Sequence, residues 1–207
     1  MNSPTPPRAP GTPDLSRLPI FPLGTVLFPG GVLPLRVFEA RYVDMTRECM
    51  KAGTPFGVCL IKEGAEVGTP AVPHAIGCLA EIRDWDMQQL GVLSIKTRGT
   101  QRFRIIDSQV EKGGLLRARV EPIDADAPTT IRAEFSQLGS ILRDILPRVP
   151  AEMIPEPHAF DDAAWLSNRL SELMPVPALA KQRLMELDDA DTRLEILYRF
   201  LGQQGLK

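Results

Sequence analysis

The sequence predicts an α+β fold: an amino-terminal antiparallel β pseudo-barrel with one inserted helix, then a small carboxy-terminal helical bundle. Three observations lead there. From Leu18 to about Ile123 apolar residues recur mostly at every second position. Pro29-Gly30-Gly31, Gly53-Thr54-Pro55, Gly68-Thr69-Pro70 and Gly113-Gly114 divide that stretch as turns. After Pro122 the apolar spacing changes to three and four. Many short strands with regular turns close, or nearly close, into a barrel, and strands followed by helices is the α+β order. The expected organisation is a Pro-rich disordered tail over 1–16, a barrel subdomain over 17–124 and a bundle subdomain over 125–207.

The tail carries prolines at 4, 6, 7, 10 and 13 among Thr, Ser and Asn, and such a segment buries too little apolar surface to offset its ordering entropy. Strands are expected at Leu18–Leu23, Val26–Phe28, Val32–Val37, Phe56–Ile61, Ile76–Trp85, Gly91–Thr97, Arg102–Val110 and Leu115–Glu121. Prolines in the first of them place those strands at edges or bulges. Phe38, Tyr42, Met45 and Cys49 share one helical face, and Gly53 with Pro55 stops that helix. Ile131, Phe135, Leu138, Leu142 and Ile145 mark the first bundle helix, ended by Pro147 and Pro150. A second, capped by Asp161 or Asp162, carries Trp165, Leu166, Leu170 and Leu173. Pro177 opens a third, with Ala180, Leu184 and Leu187. Asp191 caps a fourth, with Leu194, Leu197 and Leu201.

Composition narrows the function classes. The 207 residues carry a formal net charge of -2. A chain so near neutrality offers no electrostatic case for nucleic acid or an anionic membrane as main partner. Arg17 to Arg36 encloses an uncharged run of membrane-spanning length, but Pro19, Pro22, Pro29 and Pro34 with three glycines break it. No secretion signal is visible, and three widely spaced cysteines without a CxxC fit a reducing compartment, so a cytoplasmic location is expected. Cys49, Cys59 and Cys78 lie in apolar runs and read as core residues. With His74 and His158 they make one loose pair, short of the two close ligand pairs of structural zinc. No phosphate loop, GxGxxG, GxSxG or HExxH occurs, and Asp84/Asp86, Asp161/Asp162 and Asp188/Asp189 show no acid–base geometry. No catalytic residue, cofactor or metal is expected. A basic stripe is the alternative signal. Arg102 and Arg104, with Arg117 and Arg119, alternate with apolar residues on two hairpin neighbours, which puts them on the outward face of their strands, an arrangement that suits RNA or another anion.

One composite motif goes further. Leu18-Pro19-Ile20-Phe21-Pro22-Leu23, Val26-Leu27-Phe28-Pro29-Gly30, Leu33-Pro34-Leu35-Arg36-Val37-Phe38-Glu39, Arg41-Tyr42 and Met45 together resemble the opening signature of the Lon protease amino-terminal substrate-binding domain. Phe56-Gly57-Val58, the glycines and glutamate at Gly64, Glu66 and Gly68, Ile76 to Ile82, and Gly99 with Arg102, Phe103 and Ile105 continue it. Lys181-Gln182, Leu184, Glu186, Asp191, Arg193 and Leu194 resemble its closing helices. The resemblance implies a PUA-like pseudo-barrel plus bundle, a domain also found in cereblon-like receptors, that binds unfolded or tagged polypeptide segments. The ATPase and peptidase of a full Lon enzyme have no counterpart in this sequence, so the implied role is non-catalytic recognition, with a protease or chaperone as a further partner. Arg36, Glu39, Arg41 and Tyr42, at the junction of strand and helix, are the candidate binding residues.

Overall fold

The computed structural model describes residues 13–89 and 91–203. Seven strands form it first: β1 (Leu18–Leu23), β2 (Val32–Val37), β3 (Phe56–Glu63), β4 (Val72–Pro73), β5 (Ile76–Gln89), β6 (Val92–Val110) and β7 (Leu116–Pro122), with helix α1 (Ala40–Ala52) between β2 and β3. The sheet runs β1-β7-β6-β5-β3-β4, and a parallel pairing of β1 with β3 closes β1, β7, β6, β5 and β3 into a ring. Every other pair is antiparallel.

β1 is therefore an inner strand, not the edge that its prolines suggest. It divides its two pairings. Register with β7 covers Leu18–Ile20 and register with β3 covers Ile20–Leu23, so Pro19 and Pro22 each have a partner on one side alone. The apolar run Val26–Phe28 is buried but is a loop, not a strand. It crosses β6 at Gly99, where a Cβ would overlap the Phe28 carbonyl oxygen. The strands expected over Gly91–Thr97 and Arg102–Val110 are one continuous β6. Phe38 precedes α1 and is 56% exposed, while Tyr42, Met45 and Cys49 form the buried face as expected. Residues 1–12 of the expected tail lie outside the described residues. Its end is held, since the Leu15 carbonyl accepts the Val120 N–H at 2.8 Å.

Strand alternation sorts the apolar residues into two sets. Leu18, Ile20, Cys59, Leu79, Phe103, Leu116, Ala118 and Val120, one or more from each ring strand, pack together and fill the ring. Gly57 and Gly77 leave the space that the Phe103 ring takes. Residues of opposite parity, such as Phe21, Val58, Cys78 and Ala80, point outward and join a second core. That core continues through α1 into Leu138, Leu166, Leu170, Leu194 and Leu197 of the bundle. The bundle comprises α2 (Ser136–Ile145), α3 (Ala163–Leu173), α4 (Ala178–Glu186) and α5 (Ala190–Gln203). Asp162 caps α3, accepting the Trp165 N–H at 2.6 Å, and Pro177 precedes α4. Asp189, not Asp191, caps α5: its carboxylate accepts the N–H groups of Asp191 (2.9 Å) and Thr192 (3.1 Å).

Polar ties fix the bundle to the barrel. Arg102 of β6, its side chain 4% exposed, donates to the carbonyls of Met185 (2.8 Å) and Leu187 (2.5 Å) and to Asp126 (3.3 Å). Arg193 of α5, equally buried, reaches the same Asp126 carboxylate, the Leu187 carbonyl and Ser167 Oγ. Arg169 donates to the Pro29 carbonyl at 2.7 Å and to Glu172 at 3.1 Å, and Gln182 donates to the Ile76 carbonyl at 3.0 Å. Glu172 stands where a Gly31 side chain would be. Burial pushes its carboxyl up to about 7, against the pull of Arg169 and Lys181.

Asp126→Ala leaves two buried guanidiniums without their carboxylate, and urea titration should show a loss of about 3–5 kcal/mol. Glu172 has a folded pKa above its ordinary value. The stability it contributes is complete below about pH 4.5 and is lost as pH rises through about 7. Thermal midpoints of Glu172→Gln, which cannot titrate, should therefore gain on the natural protein across that window and stay level on either side of it.

Candidate functional site

The junction between β2 and α1 forms a groove. Its cavity, about 160 Å³, is lined by Phe21 and Leu23 of β1, the continuous segment Pro34–Glu39, Tyr42, and Glu66 and Val67 from the loop after β3. The floor is aromatic: the Phe21 and Tyr42 rings stack with centroids 4.0 Å apart. Phe38 and Val67, each more than half exposed, stand at its lip. Glu66 ties the loop down by accepting the Gly24 N–H at 2.5 Å.

Local sequence explains this geometry. β2 ends where its alternation gives way to helical spacing, and Glu39, in extended conformation, is the N-cap position of α1. Phe38 therefore falls between two regular elements and is not drawn into the helix face that buries Tyr42. Gly64 and Gly68, both with positive φ, shape the loop that brings Val67 across from Phe38.

Of the four candidate binding residues, Arg36, Glu39 and Tyr42 line the groove and Arg41 does not. Arg36 is exposed and forms no ion pair among the described residues. Glu39 pairs with Arg41 at 2.9 Å. Arg41 is itself largely buried, lies 4.6 Å over the Tyr42 ring and donates to the Gly114 carbonyl at 3.2 Å, so it braces α1 against the β6–β7 turn. Tyr42 is buried, and desolvation raises its hydroxyl pKa. Phe38 and Val67 carry the exposed apolar surface. The valine had only one sequence signal, its place between Glu66 and Gly68 in the motif.

The four arginines of the basic stripe are not one face. Arg102 points away from the ring interior, as its alternation with Phe103 requires, but the bundle covers that side and buries it. Arg117 is held by Glu48 (2.7 Å) and Glu111 (3.1 Å), and Arg119 by Asp107 (2.6 Å). Arg104 is exposed and sits opposite Glu121 in the β6–β7 register. At Arg117 and Arg119 an anion would have to displace these carboxylates.

The thiols have the environment of core residues. Burial pushes Cys49 up to about 11 and Cys78 up to about 12, and raises Cys59 further. All three stay protonated at neutral pH and are poor nucleophiles. Among the described residues no group of three or more His, Cys, Asp or Glu is placed to hold a metal ion, and no helix is long and apolar enough to cross a membrane. A separate groove of about 370 Å³, almost wholly apolar, lies on the bundle between Met174, Val176, Leu184, Leu187, Ile196 and Phe200.

Comparison with known proteins fits this architecture. Residues 17–203 match the family described as the ATP-dependent protease La (LON) substrate-binding domain. The Lon protease of Xanthomonas oryzae pv. oryzae is 28% identical over 200 residues, which are 92% of this chain and 23% of that protein. Lon protease 2 of Myxococcus xanthus is 25% identical, over 90% of this chain and 24% of its own length. The chain thus spans about a quarter of the length of these curated relatives. Among solved structures, a Lon N-terminal domain protein from Xanthomonas campestris superposes with a TM-score of 0.76 at 38% identity, covering 89% of this chain and 98% of that one. The N-terminal domain of a Mycobacterium avium complex Lon protease shares the fold, with a TM-score of 0.65 at 18% identity over 90% of this chain and 98% of its own. With a match that begins at Arg17 and runs through the last helix, this chain belongs to the Lon substrate-binding domain family.

Proposed function

We propose that this chain is a non-catalytic polypeptide-recognition module, and that the groove between β2, α1 and the 64–70 loop takes unfolded or tagged segments of other proteins. One observation carries the reading: Phe38 and Val67 hold large apolar surface in solvent at the lip of a cavity floored by the stacked Phe21 and Tyr42 rings. Exposed apolar surface at a concave site is what a chain with solvent-accessible hydrophobic side chains can bury. The relatives are proteases, and recognition of unfolded chains by this domain would serve them. On this reading the protein acts in protein quality control as an adaptor or receptor that passes its ligand to a protease or chaperone. Three buried, unpaired cysteines accord with work in the reducing cytoplasm.

The test is binding to unfolded casein, followed by fluorescence anisotropy. The natural protein should bind in the micromolar range. Phe38→Ala combined with Val67→Ser should weaken binding about tenfold, the effect of removing roughly 1.4 kcal/mol of apolar contact. The thermal midpoint should hardly move, because both side chains are exposed. Absence of casein binding by the folded natural protein would sink the proposal.

A further inference from the structure

β2 supplies a means of holding an extended chain. β6 is its strand partner, and no strand pairs with its other edge among the described residues. The groove touches every residue of Pro34–Glu39. Successive strand residues point to opposite faces, so a cavity that meets all of them meets β2 along its edge.

The backbone at that edge can be assigned. Gly99 donates its N–H to the Gly31 carbonyl at 2.8 Å, and the register runs without a shift from Val32↔Arg98 to Val37↔Leu93. Antiparallel alternation then turns the N–H and carbonyl groups of Leu33, Leu35 and Val37 toward β6. Those of Val32 and Arg36, and the carbonyl of Pro34, face the open edge. Pro34 lacks its N–H where no ladder bond is lost, which shortens the stretch that another strand can pair with. Arg36 combines an edge N–H, an edge carbonyl and a guanidinium. The other charged residues of the lining are engaged: Glu39 with Arg41 and Glu66 with the Gly24 N–H. Arg36 is the one charged side chain of the lining with no partner among the described residues.

We propose that, given the recognition role above, the groove binds an extended acidic–apolar segment by adding it as a strand to the open edge of β2. The apolar side chain inserts between Phe38 and Val67, and a carboxylate two residues along the segment, on the same face of the added strand, pairs with the Arg36 guanidinium. Main-chain bonds to Arg36 and Pro34 supply affinity that is blind to sequence, and a carboxylate two residues from an apolar one supplies the preference.

The experiment uses the full chain and a fluorescein-labelled peptide of alternating threonine and valine around a central phenylalanine–threonine–aspartate stretch. Beside it are its asparagine counterpart and two forms N-methylated on alternate sets of amides. The aspartate peptide should bind about three- to tenfold tighter than the asparagine peptide at low salt, with the gap closing as salt rises. Arg36→Ala should abolish the gap and Arg36→Glu should reverse it. One N-methylated form should lose binding and the other keep it, because only one edge of an added strand faces β2. Equal binding of the two N-methylated forms, or of the aspartate and asparagine forms, overturns the proposal. Casein binding by the same preparations separates the two claims. If casein binds and depends on Phe38 while no peptide binds, strand addition falls and the recognition role stands. If neither binds, both fall.

Discussion

The Asp126 carboxylate, shared between the buried guanidiniums of Arg102 and Arg193, is the contact on which the rest of the structure depends. It joins the longest strand, the segment leaving the barrel and the last helix at one point. Two buried cations facing each other repel, and a single carboxylate between them, with the Leu187 and Met185 carbonyls and Ser167 Oγ accepting further N–H groups, makes the seam tolerable. Geometry follows from this point. With β6 anchored at Arg102, Phe103 must turn inward and fill the ring, and Gly57 and Gly77 must stay small to admit it. The same seam holds the bundle over the outward faces of β3 and β5, which are as apolar as their inward ones, while α1 covers that of β1.

That two-sided burial explains which features were legible in the sequence. Strand and helix content, the order of the elements and most of the core could be read, because period two and period 3.6 survive whatever covers them. The helix caps at Asp162 and Pro177 were readable for the same local reason. The outward side of a strand, by contrast, says nothing about what lies beyond it. Arg102 does alternate with Phe103, as a solvent-facing residue would, but the other side is the bundle and not water. Val26–Phe28 has the composition of a strand, and only the crossing at Gly99 shows that its backbone has no ladder to join. Closure by a parallel β1–β3 pair depends on segments separated by a whole helix, which no local pattern encodes.

The candidate site was half visible. Arg36, Glu39 and Tyr42 could be singled out because they crowd a strand-to-helix junction, and they do line the groove. Arg41 has a bracing position instead, since its guanidinium is held between an aromatic ring, a carboxylate and a turn carbonyl. Val67 lies in a charged loop some thirty residues from Phe38, and only the fold brings the two to one lip. The apolar half of the site thus needs tertiary structure, while its polar half is written in one short stretch.

The continuity of the outer core bears on how such a domain can be dissected. β7 ends at Pro122, and a cut there looks natural by secondary structure. It would strand Arg102 without Asp126, strip the cover from Val58, Leu60, Cys78 and Ala80, and expose the Pro29 carbonyl that Arg169 now holds. The excised half would be a sticky, misassembled fragment. A truncation at that position would therefore report on solubility, and the groove's own part in any activity would be read only from point substitutions within the intact unit.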